Sequence, residues 1–278
     1  MTARWHLVML PSLLVTLVLL LGSQAVFLHA SLYRDMGYGV QADSVGLANY
    51  IRMLGDPFYL GVLWTSLVLS AAAACWVVLL GFPTAYVLAR SRSRWAGAML
   101  AVILLSAFVT IAIKIYGIMI IFAADGVLNR ALLAVGLVSA PVTLIGTKLG
   151  VVVGLSYFSF GFAVTLLFSV VRTIPRSLEE AAAAHGAGRV RTMWRVVLPL
   201  SLPGLAAAFL TVFNLCMGAF TSAALLGAGR VLTLPVLIER TILAEVRYGM
   251  GGALAALLMV TVLAANLASA AVLRRRFA

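Results

Sequence analysis

The sequence predicts an all-α polytopic membrane protein with six transmembrane helices. Composition, six long apolar runs and the placement of Lys and Arg carry that expectation. Of the 278 residues, 64% are hydrophobic and only 10% charged, and the mean hydropathy is +1.13. A soluble domain cannot hide so much apolar surface, because its buried fraction grows too slowly with size. Lipid is therefore the solvent for most of the chain.

Crossing the hydrocarbon core takes about 20 apolar residues in a helix. The first such run, residues 7–27, follows Arg4. Its apolar core is too long for a signal peptide and no small-x-small cleavage site follows promptly, so it reads as a retained anchor. The other runs cover 60–88, 95–124, 145–171, 202–226 and 251–273. They are continuous rather than alternating, which indicates helices and not barrel strands. Several exceed the minimum length, leaving room for tilt. Between them lie mixed-charge loops at 28–59, 125–144 and 227–250. Asp125-Gly126 marks a turn, and 127–137 is expected to form a short interfacial helix.

Charge sets the orientation. Arg4, the trio Arg90, Arg92 and Arg94, the five at Arg172, Arg176, Arg189, Arg191 and Arg195, and Arg274, Arg275 and Arg276 all fall on one face. Only Glu179 and Glu180 oppose them there. By the positive-inside rule that face is cytoplasmic, with both termini inside, and an even number of spans requires the same. The net charge of +12 is thus mostly a topology signal. The arginines sit in short stretches beside spans and no polar domain presents a basic face, so nucleic acid is not an expected partner. Cys75 and Cys216 lie inside apolar runs, and the three histidines lack metal-ligand spacing. No cofactor or metal is implied.

The loop at 172–204 is too patterned to be a linker. Ser177-Leu178-Glu179-Glu180 has the form of a capping box, with Ser177 capping a helix start and Glu180 reaching back. Pro175 limits the fourth span, and Ala181 to Ala184 are strong helix formers. Gly186 and Gly188 break or bend the helix. A second helical piece, 189–197, aligns Val190, Met193, Trp194 and Val197 in an amphipathic stripe. Leu198-Pro199 is expected to end it, with Pro203-Gly204 leading into the fifth span. The result is a helix–turn–helix whose alanine face suits a partner's groove, or else simply closes the loop.

These residues carry a resemblance. Glu180-Ala181-Ala182, then Gly186, then Val196-Val197-Leu198-Pro199 resembles the EAA motif of importer permeases, E-A-A-x3-G-x9-I-x-L-P, with Val196 in place of Ile. Further segments are similar to the spermidine/putrescine-type branch. They are Asn49-Tyr50-Ile51-Arg52 with Asp56-Pro57, Leu63-Trp64-Thr65-Ser66-Leu67, and Gly81-Phe82-Pro83-Thr84-Ala85-Tyr86. Later in the chain come Gly126-Val127-Leu128-Asn129, Gly218-Ala219-Phe220 and Leu225-Leu226-Gly227. The chain departs from the branch at Lys114-Ile115-Tyr116, where Arg-x-Tyr is common, at Gly161-Phe162, where Pro-Phe is common, and near Ala223, where a proline is common.

The resemblance implies a type I ABC importer (MetI-like) permease fold in a bacterial inner membrane, with residues 1–278 as one transmembrane permease domain and 172–204 as its coupling loop. It further implies ABC ATPase subunits, a second permease subunit in a hetero- or homodimer, an extracytoplasmic solute-binding protein and surrounding membrane lipid as partners. The expected role is transport of a small solute, polyamine-type first, and not an enzyme activity. No G-x-x-x-x-G-K-[ST] phosphate loop occurs, so the chain does not bind ATP by that route.

Expected coupling residues are Glu180, Ala181, Ala182, Gly186, Val196, Leu198 and Pro199. Glu180 either caps its own helix or contacts the ATPase, and the first reading needs no partner. Path candidates are Lys114, Tyr116, Phe160, Phe162, Asn214 and Phe220. Lys114 is a functional intramembrane charge or a snorkelling side chain. Asn214 bonds between helices or lines the path, and the phenylalanines form an aromatic wall or pack outward. The competing class is a secondary transporter or channel working without ATP. That class predicts inverted repeats, interrupted helices and intramembrane carboxylates, whereas no clear internal repeat is visible and all eight acids here sit in loops or at span edges.

Overall fold

A computed structural model describes residues 3–37 and 39–277, with side chains over 10–37 and 39–271. The arginines at 4 and 274–276, which contribute to the expected orientation, lie outside the described side chains. The chain forms two compact units, one from 1–63 with 234–263 and the other from 64–233 with 264–278.

The first unit opens with α1 (Ala3–Ser31) and an antiparallel hairpin, β1 (Tyr33–Gly37) and β2 (Val40–Val45), followed by α2 (Ala48–Gly55). None of the apolar window of α1 is buried by protein, which suits a helix solvated by lipid. The hairpin falls where a plain loop is expected. It is pinned from two sides. Buried Asn49 donates through Nδ2 to the carbonyls of Ser31 and Tyr33, both at 2.9 Å, and Ser31 Oγ meets Tyr50 OH at 2.7 Å. On the other side, the Asp35 carboxylate accepts from the backbone N–H of Gly249 (2.9 Å) and Met250 (2.8 Å). Those donors belong to the first turn of α13 (Tyr248–Phe277). A helix start has unpaired N–H groups and a partial positive charge, so Asp35 caps α13 from a distant part of the sequence. The short helix α12 (Leu234–Glu239) and a π turn at Arg240–Ala244 complete this unit.

Most of α3 (Pro57–Arg90) belongs to the second unit, with α4 (Arg94–Phe108), α5 (Ile111–Ile121), α6 (Val127–Ala134), α7 (Lys148–Thr173), α8 (Arg176–Ala184), α9 (Arg189–Thr192), α10 (Leu198–Met217) and α11 (Phe220–Gly227). Its core joins Phe82, Ala85, Leu88 and Ala89 of α3 to Val164, Leu167 and Val171 of α7, with Ile174, Val197 and Ala208. Small residues on α3 and α10 let helices approach closely, the usual basis of helix packing in lipid. The predicted helix after Asp125-Gly126 is present as α6. Buried Asn129 holds its loop, donating to Ala123 O (2.8 Å) and Val142 O (3.1 Å) and accepting from Val142 N–H (2.8 Å).

Among the described residues, five single helices are long and apolar enough to span a bilayer, and α4 with α5 makes a sixth if the pair is one span. The expected run at 95–124 is thus not one straight helix. It bends by 104° across Val109 and Thr110, both with extended ψ. Both break residues are β-branched and poor helix formers, but neither is the glycine or proline that usually flags a break. The fifth run is also divided: α10 ends at Met217, with Gly218 as its C-cap, and α11 begins at Phe220.

Candidate functional site

The 172–204 segment folds as two helical pieces, with its start set by Pro175. The ring of Pro175 disfavours helix for Ile174, whose ψ is 121°, and Pro175 itself is the N-cap with ψ of 134°. Helix α8 therefore begins at Arg176. Ser177 already lies inside the first turn, and no side-chain capping bond forms. The capping box expected at Ser177 and Glu180 is absent, because its serine would have to be the non-helical residue before the helix. Glu180 is exposed. The inward position is taken by its neighbour.

Glu179 Oε1 lies 2.6 Å from Arg90 Nε, and Tyr86 OH donates to Glu179 Oε2 at 2.9 Å. The side chains of Arg90 and Glu179 are only 13% and 17% exposed, so this pair is screened far less than a surface ion pair. Arg90 also donates through Nη2 to Ile174 O at 2.9 Å. Arg176 Nη2 reaches Ala89 O (3.4 Å) and Arg90 O (3.3 Å). Two guanidinium groups thus occupy the carbonyl-rich C-terminal ends of α3 and α7, where helix dipoles favour positive charge.

Helix α8 ends in a left-handed residue, Gly186, with φ of +78°. Gly186 N–H donates to Ala183 O (2.9 Å) and Ala187 N–H to Ala182 O (3.0 Å). This is the Schellman pattern, which satisfies the last carbonyls of a helix and reverses the chain. Gly188 then serves as N-cap of α9, which continues through a π turn at Met193–Val197 into α10. Leu198-Pro199 does not end the helix as expected. Pro199 enters the first turn of α10, and ahead of it Leu198 N–H bonds to Met193 O, five residues back. The widened turn carries the helix past a residue that offers no N–H. It also divides the expected stripe. Met193 and Val197 pack on the core, while Val190 and Trp194 are exposed. Of the other motif residues, Ala181 and Pro199 are exposed, Ala182 and Val196 are half-buried, and Leu198 packs on the core.

The second feature is a cavity of about 430 Å3 at the α10–α11 break, lined by Ile111, Phe158, Asn214, Phe220, Thr221 and Ser222 among others. Asn214 and Asn266 exchange hydrogen bonds between their amides, Asn214 Nδ2 donating to Asn266 Oδ1 at 3.0 Å and Asn266 Nδ2 to Asn214 Oδ1 at 3.3 Å. Asn214 and Phe220 share this cavity, and Phe162 meets its wall edge-on through Phe158, with ring centroids 6.2 Å apart. Lys114 is 6% exposed, its Nζ 5.8 Å from the centre of the Tyr157 ring. Tyr116 is exposed, and Phe160 packs against the α3–α7 core.

Sequence reasoning missed Tyr86, Arg90, Glu179 and Arg176 as a connected set, and Asn266 as the partner of Asn214. One signal was present in the adjacent pair Glu179-Glu180. Successive helical residues point about 100° apart, so the two acids cannot face the same surroundings.

The family described as binding-protein-dependent transport system inner membrane component matches residues 78–277. The spermidine/putrescine transport system permease protein PotB of Haemophilus influenzae is 31% identical over 246 residues, covering 88% of this chain and 82% of that protein. PotB of Escherichia coli is 33% identical over 193 residues, 69% of this chain and 70% of the relative. Among solved structures, a chain of a bacterial ABC transporter involved in the import of the acidic polysaccharide alginate aligns with a TM-score of 0.78 at 20% identity, covering 99% of this chain and 96% of that one. A chain of the MetNI methionine ABC transporter aligns with a TM-score of 0.61 at 21% identity, covering 78% and 94%. At these identities the solved structures share the fold.

Proposed function

This chain belongs to the inner-membrane components of binding-protein-dependent transport systems, a permease and not an enzyme, and from that premise we propose its cargo, orientation and partners. The cargo is a polyamine-type solute, as the names of the PotB relatives suggest. The cavity at the α10–α11 break is compatible with it. Aromatic faces attract alkylammonium groups, and Phe158 and Phe220 wall that cavity beside the Asn214 amide. Asn214 and Phe220 are the two residues we assign to the path, with Phe162 supporting Phe158. Lys114, Tyr116 and Phe160 have no such position and are left unassigned.

Residues 1–278 act as one permease domain with 172–204 as the coupling loop. That loop and both termini face the cytoplasm, as the clustering of Arg90, Arg92 and Arg94 with the loop arginines favours. Two ABC ATPase subunits, a second permease subunit of the same or different sequence, and an extracytoplasmic solute-binding protein complete the assembly. The observation that carries the coupling role is α8 itself. It has no buried residue, exposes Glu180 and Ala181, and is joined by a tight reversal at Gly186 to the helix that becomes the fifth span. A partner that grips this helix has a lever on the bundle.

Purification in mild detergent tests this. An ATPase subunit is expected to co-purify with the chain. In proteoliposomes, spermidine-loaded binding protein is expected to accelerate ATP hydrolysis and drive uptake. Uptake by this chain alone, without ATPase or ATP, would replace the proposal with a secondary transporter or channel.

A further inference from the structure

We infer that Glu179, Arg90 and Arg176 are positioning residues that transmit the movement of the coupling helix to the second and fourth spans, a role distinct from that of the exposed Glu180. The inference rests on the coupling reading above. Its starting point is the weak attachment of α8. This helix has no fully buried residue, and of its apolar side chains only Ala182 is half-buried, so apolar packing anchors it weakly. The connecting peptides at either end differ: Ile174-Pro175 is a proline-induced extension at which the chain can turn, whereas the hydrogen-bonded reversal at Gly186 fixes α8 to α9.

Across that gap run one ion pair, Arg90 with Glu179, and a set of hydrogen bonds made by charged side chains. Glu179 uses both carboxylate oxygens toward α3, one on Arg90 at 2.6 Å and one on Tyr86 at 2.9 Å. Arg90, the last residue of α3, extends onward to Ile174 O at the end of α7 (2.9 Å). Arg176, the first residue of α8, returns to Ala89 O and Arg90 O at the end of α3 (3.4 and 3.3 Å). Each helix end is held by an arginine from another element, so α3, α7 and α8 form a closed ring of contacts. Charge-assisted bonds are directional as well as strong. A displacement of α8 therefore moves the ends of two spans with it. Without the ring, α8 still moves with α9 but turns at Ile174-Pro175, and the ends of α3 and α7 stay behind. Glu180 points away from this ring and remains free for a partner.

Four variants separate transmission from docking: Glu179→Gln, Arg90→Gln, the charge swap Arg90→Glu with Glu179→Arg, and Glu180→Gln. Each is purified with its ATPase and assayed in proteoliposomes for solute taken up per ATP hydrolysed. Glu179→Gln and Arg90→Gln are expected to keep the ATPase bound while uptake per ATP falls about tenfold, within the usual range of coupling free energies between sites. The swap is expected to recover part of that ratio. Glu180→Gln is expected instead to weaken co-purification. An unchanged ratio in both Glu179→Gln and Arg90→Gln overturns the inference. So does a loss of complex with a normal ratio in the complex that remains, since that is a stability effect. If the unsubstituted complex shows no ATP-driven uptake, the coupling reading fails before the ring is tested.

Discussion

Gly186→Val is expected to leave the chain inserted in the membrane while abolishing most transport driven by ATP hydrolysis. A Cβ at Gly186 would meet nothing within 4 Å, so crowding is not the issue. The backbone is. Its φ of +78° lies in the left-handed region, which disfavours L-residues by about 1–2 kcal/mol and β-branched ones more. The Schellman bonds at Ala182 and Ala183 depend on that conformation. Their loss adds about 1 kcal/mol each and releases the angle between α8 and α9. The spans do not depend on this turn, so insertion persists. The measurement is uptake per ATP hydrolysed, with membrane insertion followed by protease protection. Gly186→Asn is the control, because asparagine tolerates the left-handed region and is expected to retain most coupling. Failure of Gly186→Val to insert would show that the turn is needed for folding rather than for coupling.

Gly249→Val is expected to disrupt the first unit, at a cost of about 3–5 kcal/mol from overpacking combined with broken hydrogen bonds. A Cβ there would overlap the Tyr33 carbonyl oxygen and stand 2.9 Å from Asn49 Nδ2 and 3.1 Å from Asp35 Oδ1. The collision falls where Asp35 caps α13 and Asn49 ties down β1, so neither neighbour can yield without breaking its own bonds. Limited trypsin digestion checks the outcome, because Arg34 within β1 and Arg52 within α2 are both exposed. Faster cleavage at both sites and a lower melting temperature in detergent are expected. Asp35→Asn keeps one acceptor oxygen but loses the charge and one of the two hydrogen bonds, so its effect is expected to be smaller, about 2–3 kcal/mol.

The spans were legible because lipid imposes a simple requirement: a long unbroken apolar run. Helices α3 and α7 begin and end within a turn of the expected runs. The EAA resemblance was readable for a similar reason, since a glycine in a reversal leaves a fixed spacing behind it. Features that depend on distant pairing were hidden. Nothing local marks Asp35 as a cap for residues more than two hundred positions later. The break at Val109-Thr110 carries no glycine or proline to announce it. Glu179 and Glu180 are chemically identical in the sequence, and only the approach of α3 tells them apart. The hairpin did leave a local trace, since Gly37 and Gly39 both adopt positive φ where β1 gives way to β2.

The π turn at Met193–Val197 has a practical consequence for mapping this protein. A π turn is an α-helix carrying one surplus residue, which shifts the angular phase of everything beyond it by about 100°. Residues Arg189–Met217 form one long rod, yet they cannot be drawn on a single helical wheel. Single-cysteine labelling along this rod is expected to give two reactive stripes that change phase near Val197. Read as one stripe, the same data would assign the lower half of the rod to the wrong side.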